Sequence, residues 1–194
     1  MSSLKNILEN NNLKLEASFY KDIEVFIELL QKWGRVHNLS GSLDKQSIYE
    51  NILDSLFPLT FIENFSSFAD IGTGAGYPGL ILSIVKKDVD GYLIEPRIKR
   101  VSFLSFVKAN LGLKNLTILQ KRVEEVSDLK VELITSRAVT NTKLLLDLTK
   151  EIKQDNSSYL FYKGSMLENE LEEAKLNNYK IVSRNDRNYL YIKG

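Results

Sequence analysis

The sequence predicts an α/β fold in which a mostly parallel, doubly wound sheet follows an N-terminal helical extension. From residue 67 onward, short apolar runs alternate with segments of helical periodicity, as is typical of parallel strands covered by helices on both faces. Before that point, the apolar residues recur only at helical spacing. We therefore expect residues 1–64 to form an extension packed on a core of residues 65–194, the two making one structural unit.

The extension contains two predicted amphipathic helices. In the first, the apolar stripe ends with Trp33, and Gly34 is expected to end the helix. In the second, Asp44 is a candidate N-cap and Pro58 is expected to stop the helix. The stripe of the first helix consists of Phe19, Ile23, Phe26, Ile27, Leu30 and Trp33.

The core is predicted to contain five buried strands, four helices and a terminal hairpin. The strands are expected at Phe68–Ile71, Tyr92–Ile94, Leu116–Leu119, Val131–Thr135 and Tyr159–Tyr162. The helices are expected at Pro78–Lys87, Ile98–Leu111, Thr142–Lys153 and Met166–Leu176. The final segments, which flank a polar turn and predict an antiparallel β-hairpin, are Tyr179–Ser183 and Asn188–Ile192.

Composition excludes several classes of chemistry. The chain has no cysteine and a single histidine, His37, which excludes disulfides and thiol nucleophiles and predicts no metal centre. No apolar run is long enough to span a bilayer, and the N-terminus lacks the apolar core of a secretory signal, so a cytoplasmic protein is expected. Because the net charge is only +1, a nucleic-acid partner would require a local basic patch.

The most informative segment is the turn after the first strand, which contains Asp70, Gly72, Gly74, Gly76 and Tyr77. The three glycines allow the backbone to turn sharply and let a ligand lie against bare peptide. In open α/β sheets, cofactors bind at the carboxyl end of the first strand. The segment therefore predicts a cofactor site.

This segment can be interpreted as one of three kinds of glycine-rich loop. A dinucleotide-binding loop is disfavoured because Tyr77 occupies the place of its last small residue, and the Gly-Lys-Ser/Thr of a P-loop does not occur in the chain. An acidic residue followed by G-x-G-x-G instead resembles motif I of S-adenosylmethionine-dependent methyltransferases. We expect the Asp70 carboxylate to serve the cofactor's cationic end, while the glycines admit its flat body.

Two further acidic positions extend the predicted site. Glu95 ends the second strand, where a carboxylate can accept hydrogen bonds from both ribose hydroxyls of the cofactor. The third strand leads to Val123 and Glu124, where the adenine would lie. S-adenosylmethionine is therefore the predicted cofactor.

With these residues in place, the chain resembles the bacterial glucose-inhibited division protein B family of small-subunit rRNA guanine-N7 methyltransferases over nearly its whole length. Two departures from the family pattern are Asn51, where the family usually has His, and Ser40 in place of the commoner Thr. The C-terminal hairpin is also short. The resemblance rests on the segments Trp33…Asn38-Leu39-Ser40, Ile52–Leu56, Asp70–Gly79, Lys99-Arg100…Phe103-Leu104, Arg122–Glu125 and Ser136-Arg137-Ala138.

The resemblance implies a class I methyltransferase fold, with guanine N7 of 16S rRNA, at guanosine 527, as the methylated atom. It implies 16S rRNA or the small ribosomal subunit as the partner, and we expect a monomer. It also carries cofactor contacts over to Gly72, Tyr77, Val123, Glu124 and Arg137.

The residues also limit the methyl acceptor. Cytosine C5 methylation would need a cysteine, and the segment after the fourth strand lacks the proline motif of exocyclic amine methylation. Guanine N7 has a free lone pair and needs no general base. Arg137 is accordingly expected to position the reactants. RNA contacts are expected at Arg35, Asn38, Arg97, Lys99 and Arg100.

Two alternatives remain open from the sequence. A methyltransferase of a protein or small molecule would share the fold, although the family-like extension and Ser136-Arg137-Ala138 favour RNA. A non-catalytic RNA-binding assembly factor could also retain the fold. The intact glycines, Asp70 and Glu95 favour a chain that still binds its cofactor.

Overall fold

The protein is described by a computed structural model over residues 3–37, 39, 42–165, 167–176 and 178–194. The helices are α1 Leu4–Glu9, α2 Ala17–His37, α3 Lys45–Leu56, α4 Gly79–Val85, α5 Ile98–Leu111, α6 Thr142–Leu148 and α7 Leu167–Ala174. The strands are β1 Ser67–Ile71, β2 Asp90–Ile94, β3 Leu116–Leu119, β4 Val131–Arg137, β5 Lys153–Lys163, β6 Lys180–Arg184 and β7 Arg187–Ile192. Short 3₁₀ segments lie at Phe57–Thr60, Val123–Glu125 and Lys150–Ile152.

The strands form a seven-stranded sheet in the order β3-β2-β1-β4-β5-β7-β6. The first five strands are parallel, whereas β7 runs antiparallel between β5 and β6. The strand order reverses direction at β1, and in such sheets the crevice beside the carboxyl ends of the central strands is where ligands bind. The predicted doubly wound sheet with a C-terminal antiparallel hairpin is confirmed.

Two apolar clusters cover the two faces of the sheet. Successive residues of one strand alternate between them: Phe68 belongs to the first cluster and Ala69 to the second. The first cluster contains residues of α1–α5, including Phe26 and Phe103. The second is closed by α6 and α7. The N-terminal helices therefore pack on the same face as α4 and α5.

Helix α1 was not predicted, and β5 begins six residues before its predicted start. Two helix ends also differ from the prediction by more than two residues. Helix α2 continues through Gly34, so the prediction that this glycine ends the helix is wrong. A Cβ atom on Gly34 would lie 2.7 Å from Leu43 Cδ2, which shows that the glycine serves a close approach of the chain. The predicted Asp44 cap is confirmed, because the Asp44 Oδ1 atom accepts the Ser47 N–H at 3.0 Å.

The second difference concerns the helix expected at Thr142–Lys153. Helix α6 ends at Leu148, and the chain turns through a short 3₁₀ segment into β5, which begins at Lys153. The Leu145 carbonyl accepts both the Thr149 N–H at 3.1 Å and the Thr149 hydroxyl at 2.7 Å. No helix within the described part of the chain is long and apolar enough to cross a membrane.

Candidate active site

The glycine loop between β1 and α4 adopts backbone conformations that side chains rarely tolerate. Gly72, Gly74 and Gly76 have φ angles of +66°, +61° and +104°. The Gly72 N–H donates to the Ile94 carbonyl at 2.8 Å, which ties the loop to the end of β2. At Gly74, a Cβ atom would lie 3.7 Å from Arg100 Nη1 and 3.8 Å from the Gly72 carbonyl oxygen, which are ordinary van der Waals contacts.

Asp70 lies behind this loop in the protein interior. Its Oδ2 atom accepts the Gly79 N–H at 3.0 Å, and its Oδ1 atom accepts the Thr135 hydroxyl at 2.7 Å. Burial raises the pKa of Asp70 to about 6, although these hydrogen bonds act to lower it. Asp70 thus fastens β1 to the start of α4 and to β4, and its contact with the cofactor stays a prediction.

Glu95 connects the end of β2 to the same loop. The residue is 1% exposed, and its Oε2 atom accepts the Gly74 N–H at 3.0 Å. Its Oε1 atom accepts the Arg97 N–H at 3.0 Å, and Arg100 Nη1 lies 3.4 Å from Oε2. The carboxylate is therefore held at a fixed position beside the glycine loop, with basic residues next to it.

A cavity of about 290 Å³ opens beside these residues, and we call it the glycine-loop cavity. It brings together four of the residues predicted to bind the cofactor: Gly72, Glu95, Val123 and Glu124. The other predicted cofactor residues, Asp70, Gly74, Gly76, Tyr77 and Arg137, lie outside its lining. Its remaining walls are formed by Ile71, Ile94, Pro96, Arg97, Arg100, Lys121, Arg122, Ala138, Val139 and Leu148.

Arg137 ends β4 and is held by the N-terminal extension. Its Nη1 atom donates to Asn51 Oδ1 at 2.8 Å and to Asp54 Oδ2 at 3.0 Å. Its guanidinium carbon lies 5.0 Å from the centre of the Tyr77 ring, within the range of a cation–π contact. Asn51 is therefore a direct partner of Arg137.

Tyr77 itself is buried between Arg137 and α2. Its ring packs edge-on against Phe26 at 5.7 Å. Burial raises the pKa of the Tyr77 phenol. Its hydroxyl has no hydrogen-bond partner among the described residues, so this polar atom is available to a ligand that reaches it.

Asp54 joins this site to the C-terminal hairpin, a role that the sequence did not predict for it. The residue is 4% exposed, and besides Arg137 it accepts Arg187 Nε at 3.1 Å and the Tyr189 hydroxyl at 2.9 Å. The available signal was an acid on the buried face of α3, next to Leu53 and two residues before Leu56. A buried acid requires donors, but the sequence does not say which residues supply them.

Two more cavities adjoin this cluster. The β4–β5 cavity, of about 280 Å³, lies between the carboxyl ends of these strands and is lined by Ser136, Ala138, Val139, Thr140, Leu145, Tyr162, Lys163, Gly164, Glu170 and Arg187. It shares Ala138 and Val139 with the glycine-loop cavity. The hairpin cavity, of about 350 Å³, is lined by Glu50, Asn51, Asp54, Arg184, Asn185, Asp186 and Arg187.

The basic residues predicted to contact RNA are distributed unevenly around the site. Arg97 and Arg100 line the glycine-loop cavity. Arg35, in the last part of α2, and Lys99, in the first turn of α5, are exposed. Asn38 lies outside the described residues.

A family model described as rRNA small subunit methyltransferase G (GidB) matches residues 20–188. The chain belongs to this family. A GidB-family relative, the ribosomal RNA small subunit methyltransferase G of Aliarcobacter butzleri, is 73% identical over 191 residues, which cover 98% of both chains. The protein of the same name from Wolinella succinogenes is 42% identical over 194 residues, which cover 100% of both.

Solved structures confirm the class I methyltransferase fold of this GidB-family chain. A SAM-dependent methyltransferase from Aquifex aeolicus superposes with a TM-score of 0.61 at 20% identity, over 78% of this chain and 94% of that one. A methyltransferase from Geobacter sulfurreducens gives 0.64 at 12% identity, over 100% and 97%. The predicted family, enzyme class and cofactor, S-adenosylmethionine, are thereby confirmed.

The residues of the glycine-loop cavity fit this cofactor. Gly72 contributes bare backbone to the cavity wall, and the Glu95 carboxylate is an acceptor suited to ribose hydroxyls. The apolar walls at Ile71, Val139 and Leu148 suit the face of an adenine. No group of acidic or histidine side chains suited to a metal occurs in the described part of the chain.

Proposed function

We propose that this GidB-family enzyme methylates N7 of a guanosine in the 16S rRNA of the small ribosomal subunit, with guanosine 527 the candidate implied by the family resemblance. The observation that carries the proposal is the shared wall of the glycine-loop cavity and the β4–β5 cavity, formed by Ala138 and Val139 beside Arg137. A cofactor in the first cavity and a base in the second would meet at this wall. The printed names of the relatives support rRNA as the substrate.

The polar groups of the β4–β5 cavity support an acceptor that has no proton to lose. Its carboxylate, Glu170, accepts hydrogen bonds from Lys163 at 2.6 Å and from the Thr142 N–H and hydroxyl at 2.7 Å. Burial acts to raise the pKa of Glu170, but these hydrogen bonds lower it overall, so the carboxylate is a weak base. The Tyr162 hydroxyl donates to the Ser55 carbonyl at 3.0 Å, and burial raises the pKa of its phenol.

Each group of residues has its own part in the reaction. The bound cofactor would supply an electrophilic methyl group, and the chain would hold the acceptor in line with it. Arg137 positions the reactants from the end of β4, held by Asn51 and Asp54. Contact with the cofactor is assigned to Asp70, Gly72, Gly74, Gly76, Tyr77, Glu95, Val123, Glu124 and Arg137.

The remaining assignments concern the setting of the reaction. We assign RNA contacts to four basic side chains near the site and to Asn38, and we propose that the enzyme acts in the cytoplasm as a monomer. Residues 1–64 and 65–194 work as one unit, because Asn51 and Asp54 of the extension hold Arg137 of the core. The basic RNA contacts are Arg35, Arg97, Lys99 and Arg100.

The test is methyl transfer from labelled S-adenosylmethionine to small ribosomal subunits from cells that lack this gene. Mass spectrometry of the digested RNA is expected to find the label as 7-methylguanosine. Label in another nucleoside would refute N7 as the acceptor. Measurable cofactor binding without label in RNA would refute rRNA as the substrate and point to a protein, a small molecule or a non-catalytic role.

The cofactor site has its own matched test. Gly74 and Gly112 both have a φ of +61°, and a Cβ atom would meet nothing closer than 3.7 Å at Gly74 and nothing within 4 Å at Gly112. Both Gly→Val variants are expected to lose about 1 to 2 kcal/mol of stability from the left-handed conformation. Because only Gly74 lies in the glycine loop, only Gly74→Val should abolish cofactor binding in calorimetry. Equal cofactor affinity in the two variants would refute the site.

A further inference from the structure

Arg187 is the residue that the β4–β5 cavity and the hairpin cavity have in common. It is the first residue of β7, at the tip of the C-terminal hairpin, and its side chain is 33% exposed. The side chain therefore stands on the divide between two neighbouring cavities.

Arg187 is anchored at one side of its guanidinium and open at the other. Its Nε donates to Asp54 at 3.1 Å, and this is the hydrogen bond that its side chain makes among the described residues. A guanidinium has about five N–H donors, so most of them remain for a ligand. The hydrogen bond to Asp54 fixes the orientation of the Arg187 guanidinium, which lowers the conformational entropy lost when a ligand binds.

Asp54 and the two arginines that it binds carry one net positive charge. The carboxylate of Asp54 is shared by the guanidiniums of Arg137 and Arg187, so two positive charges face one negative charge in this trio. Arg184, on the other side of the hairpin cavity, is paired with Glu50. The trio by itself therefore carries one net positive charge, and the Asp186 carboxylate also lines the hairpin cavity. The most exposed member of the trio is Arg187.

We infer that Arg187 binds a phosphate of the RNA strand whose guanosine enters the β4–β5 cavity. This inference rests on the proposed function. If a base lies in the β4–β5 cavity, the RNA backbone attached to it must pass over the edge of that cavity. The adjacent hairpin cavity has room for part of the neighbouring nucleotide. The phosphate that links the two nucleotides then lies over Arg187, between the two cavities, where the planar guanidinium can bind two of its oxygens.

The experiment compares Arg187→Gln, Arg187→Lys and Tyr189→Phe with the wild-type protein. Binding of labelled small ribosomal subunits from cells lacking this gene is measured over a series of salt concentrations, together with KM and kcat for methyl transfer. Tyr189→Phe is the control, because it removes another hydrogen-bond donor of Asp54 and leaves the guanidinium of Arg187 in place.

For Arg187→Gln we expect subunit binding to weaken about tenfold, and the slope of log affinity against log salt to decrease by about one. KM should rise by a similar factor, while kcat and cofactor affinity change by less than about twofold. Arg187→Lys should keep the salt slope with weaker binding, because lysine keeps the charge but not the fork. Tyr189→Phe should keep the wild-type salt slope.

Two results would overturn the inference while leaving the proposed function intact. One is a wild-type salt slope and KM in Arg187→Gln. The other is the same loss in Tyr189→Phe, which would assign the effect to the packing of Asp54. If the wild-type protein transfers no label to RNA, the proposed function fails. In that case, equal binding of the subunits by the wild type and Arg187→Gln would overturn the phosphate site as well.

Discussion

The carboxyl group of Asp70 is fully buried under the glycine loop, where hydrogen bonds and the charge of Arg137 offset part of the free-energy cost of ionisation. Its acceptors are engaged by Gly79 and Thr135, which connect three elements at the centre of the sheet. The sequence predicted an acidic residue here for the cofactor. The structure adds that the same carboxylate organises the loop before any ligand arrives.

The raised pKa of Asp70 gives a prediction for stability against pH. Because the pKa is about 6 in the folded protein and lower in the unfolded chain, the folded state binds this proton more tightly. The contribution of Asp70 to stability is therefore complete below about pH 4 and is lost as the pH rises through about 6. The shift of about two units corresponds to about 3 kcal/mol.

The measurement compares wild type with Asp70→Asn by urea unfolding from pH 4 to pH 8, without cofactor. The wild-type minus variant difference in the free energy of unfolding should fall by about 3 kcal/mol between about pH 4 and pH 7, then stay level. Because both proteins contain the other carboxylates, the effect of their titration on stability cancels in this difference. A difference that does not vary with pH would contradict the raised pKa.

At the scale of elements, α3 connects the extension to both the active site and the hairpin. Its buried face is apolar except for Ser55 and Asp54, and the Asp54 carboxylate receives Arg137, Arg187 and the Tyr189 hydroxyl. The helix thereby fixes the end of β4 and the start of β7 relative to each other. Asn51, one turn earlier on the same helix, adds a second acceptor for Arg137.

Removal of this acceptor should be costly. Asp54→Ala leaves two guanidiniums and a buried hydroxyl without their acceptor, so we expect a loss of about 3 to 5 kcal/mol in the free energy of unfolding. Glu63→Ala is the control, because it also breaks an ion pair, with Lys193, but both side chains are more than half exposed. The control should change stability by less than about 1 kcal/mol. Equal losses in urea unfolding would contradict the role of Asp54.

At the scale of the whole molecule, the N-terminal helices share one apolar cluster with the core. Phe26 of α2 is fully buried and contacts Tyr77, which follows the glycine loop, and Phe103 of α5. The extension therefore supports the glycine loop from behind by packing, besides holding Arg137 by hydrogen bonds. This is the physical basis for our proposal that the two segments work as one unit.

A single substitution tests whether the extension and the core unfold together. Phe26→Ala should lower the free energy of unfolding by about 3 to 5 kcal/mol and leave one cooperative transition, because the cavity lies between extension and core. Phe106→Ala removes an equal side chain that is 44% exposed and should cost much less. Fluorescence of Trp33 in the extension and circular dichroism of the whole chain should report the same midpoint. Separate midpoints would show that the extension unfolds independently.

The sequence by itself determined the elements of the core, the glycine loop and the position of Glu95. These features depend on local periodicity, and the order of strands then brings the strand ends together. The helix end predicted at Gly34 was wrong, because α2 continues past this glycine, whose missing side chain admits Leu43. The predicted end of α6 was also wrong.

Only the tertiary structure decided the cluster around Asp54. Arg137 lies 83 residues from Asp54 along the chain, and Tyr189 lies 135 residues from it. Each of these residues has an ordinary local interpretation, as a strand-end arginine, a helix acid or a hairpin tyrosine. Their hydrogen bonds exist because the extension and the hairpin fold against the same side of β4 and β5, and no local pattern encodes a contact of that separation.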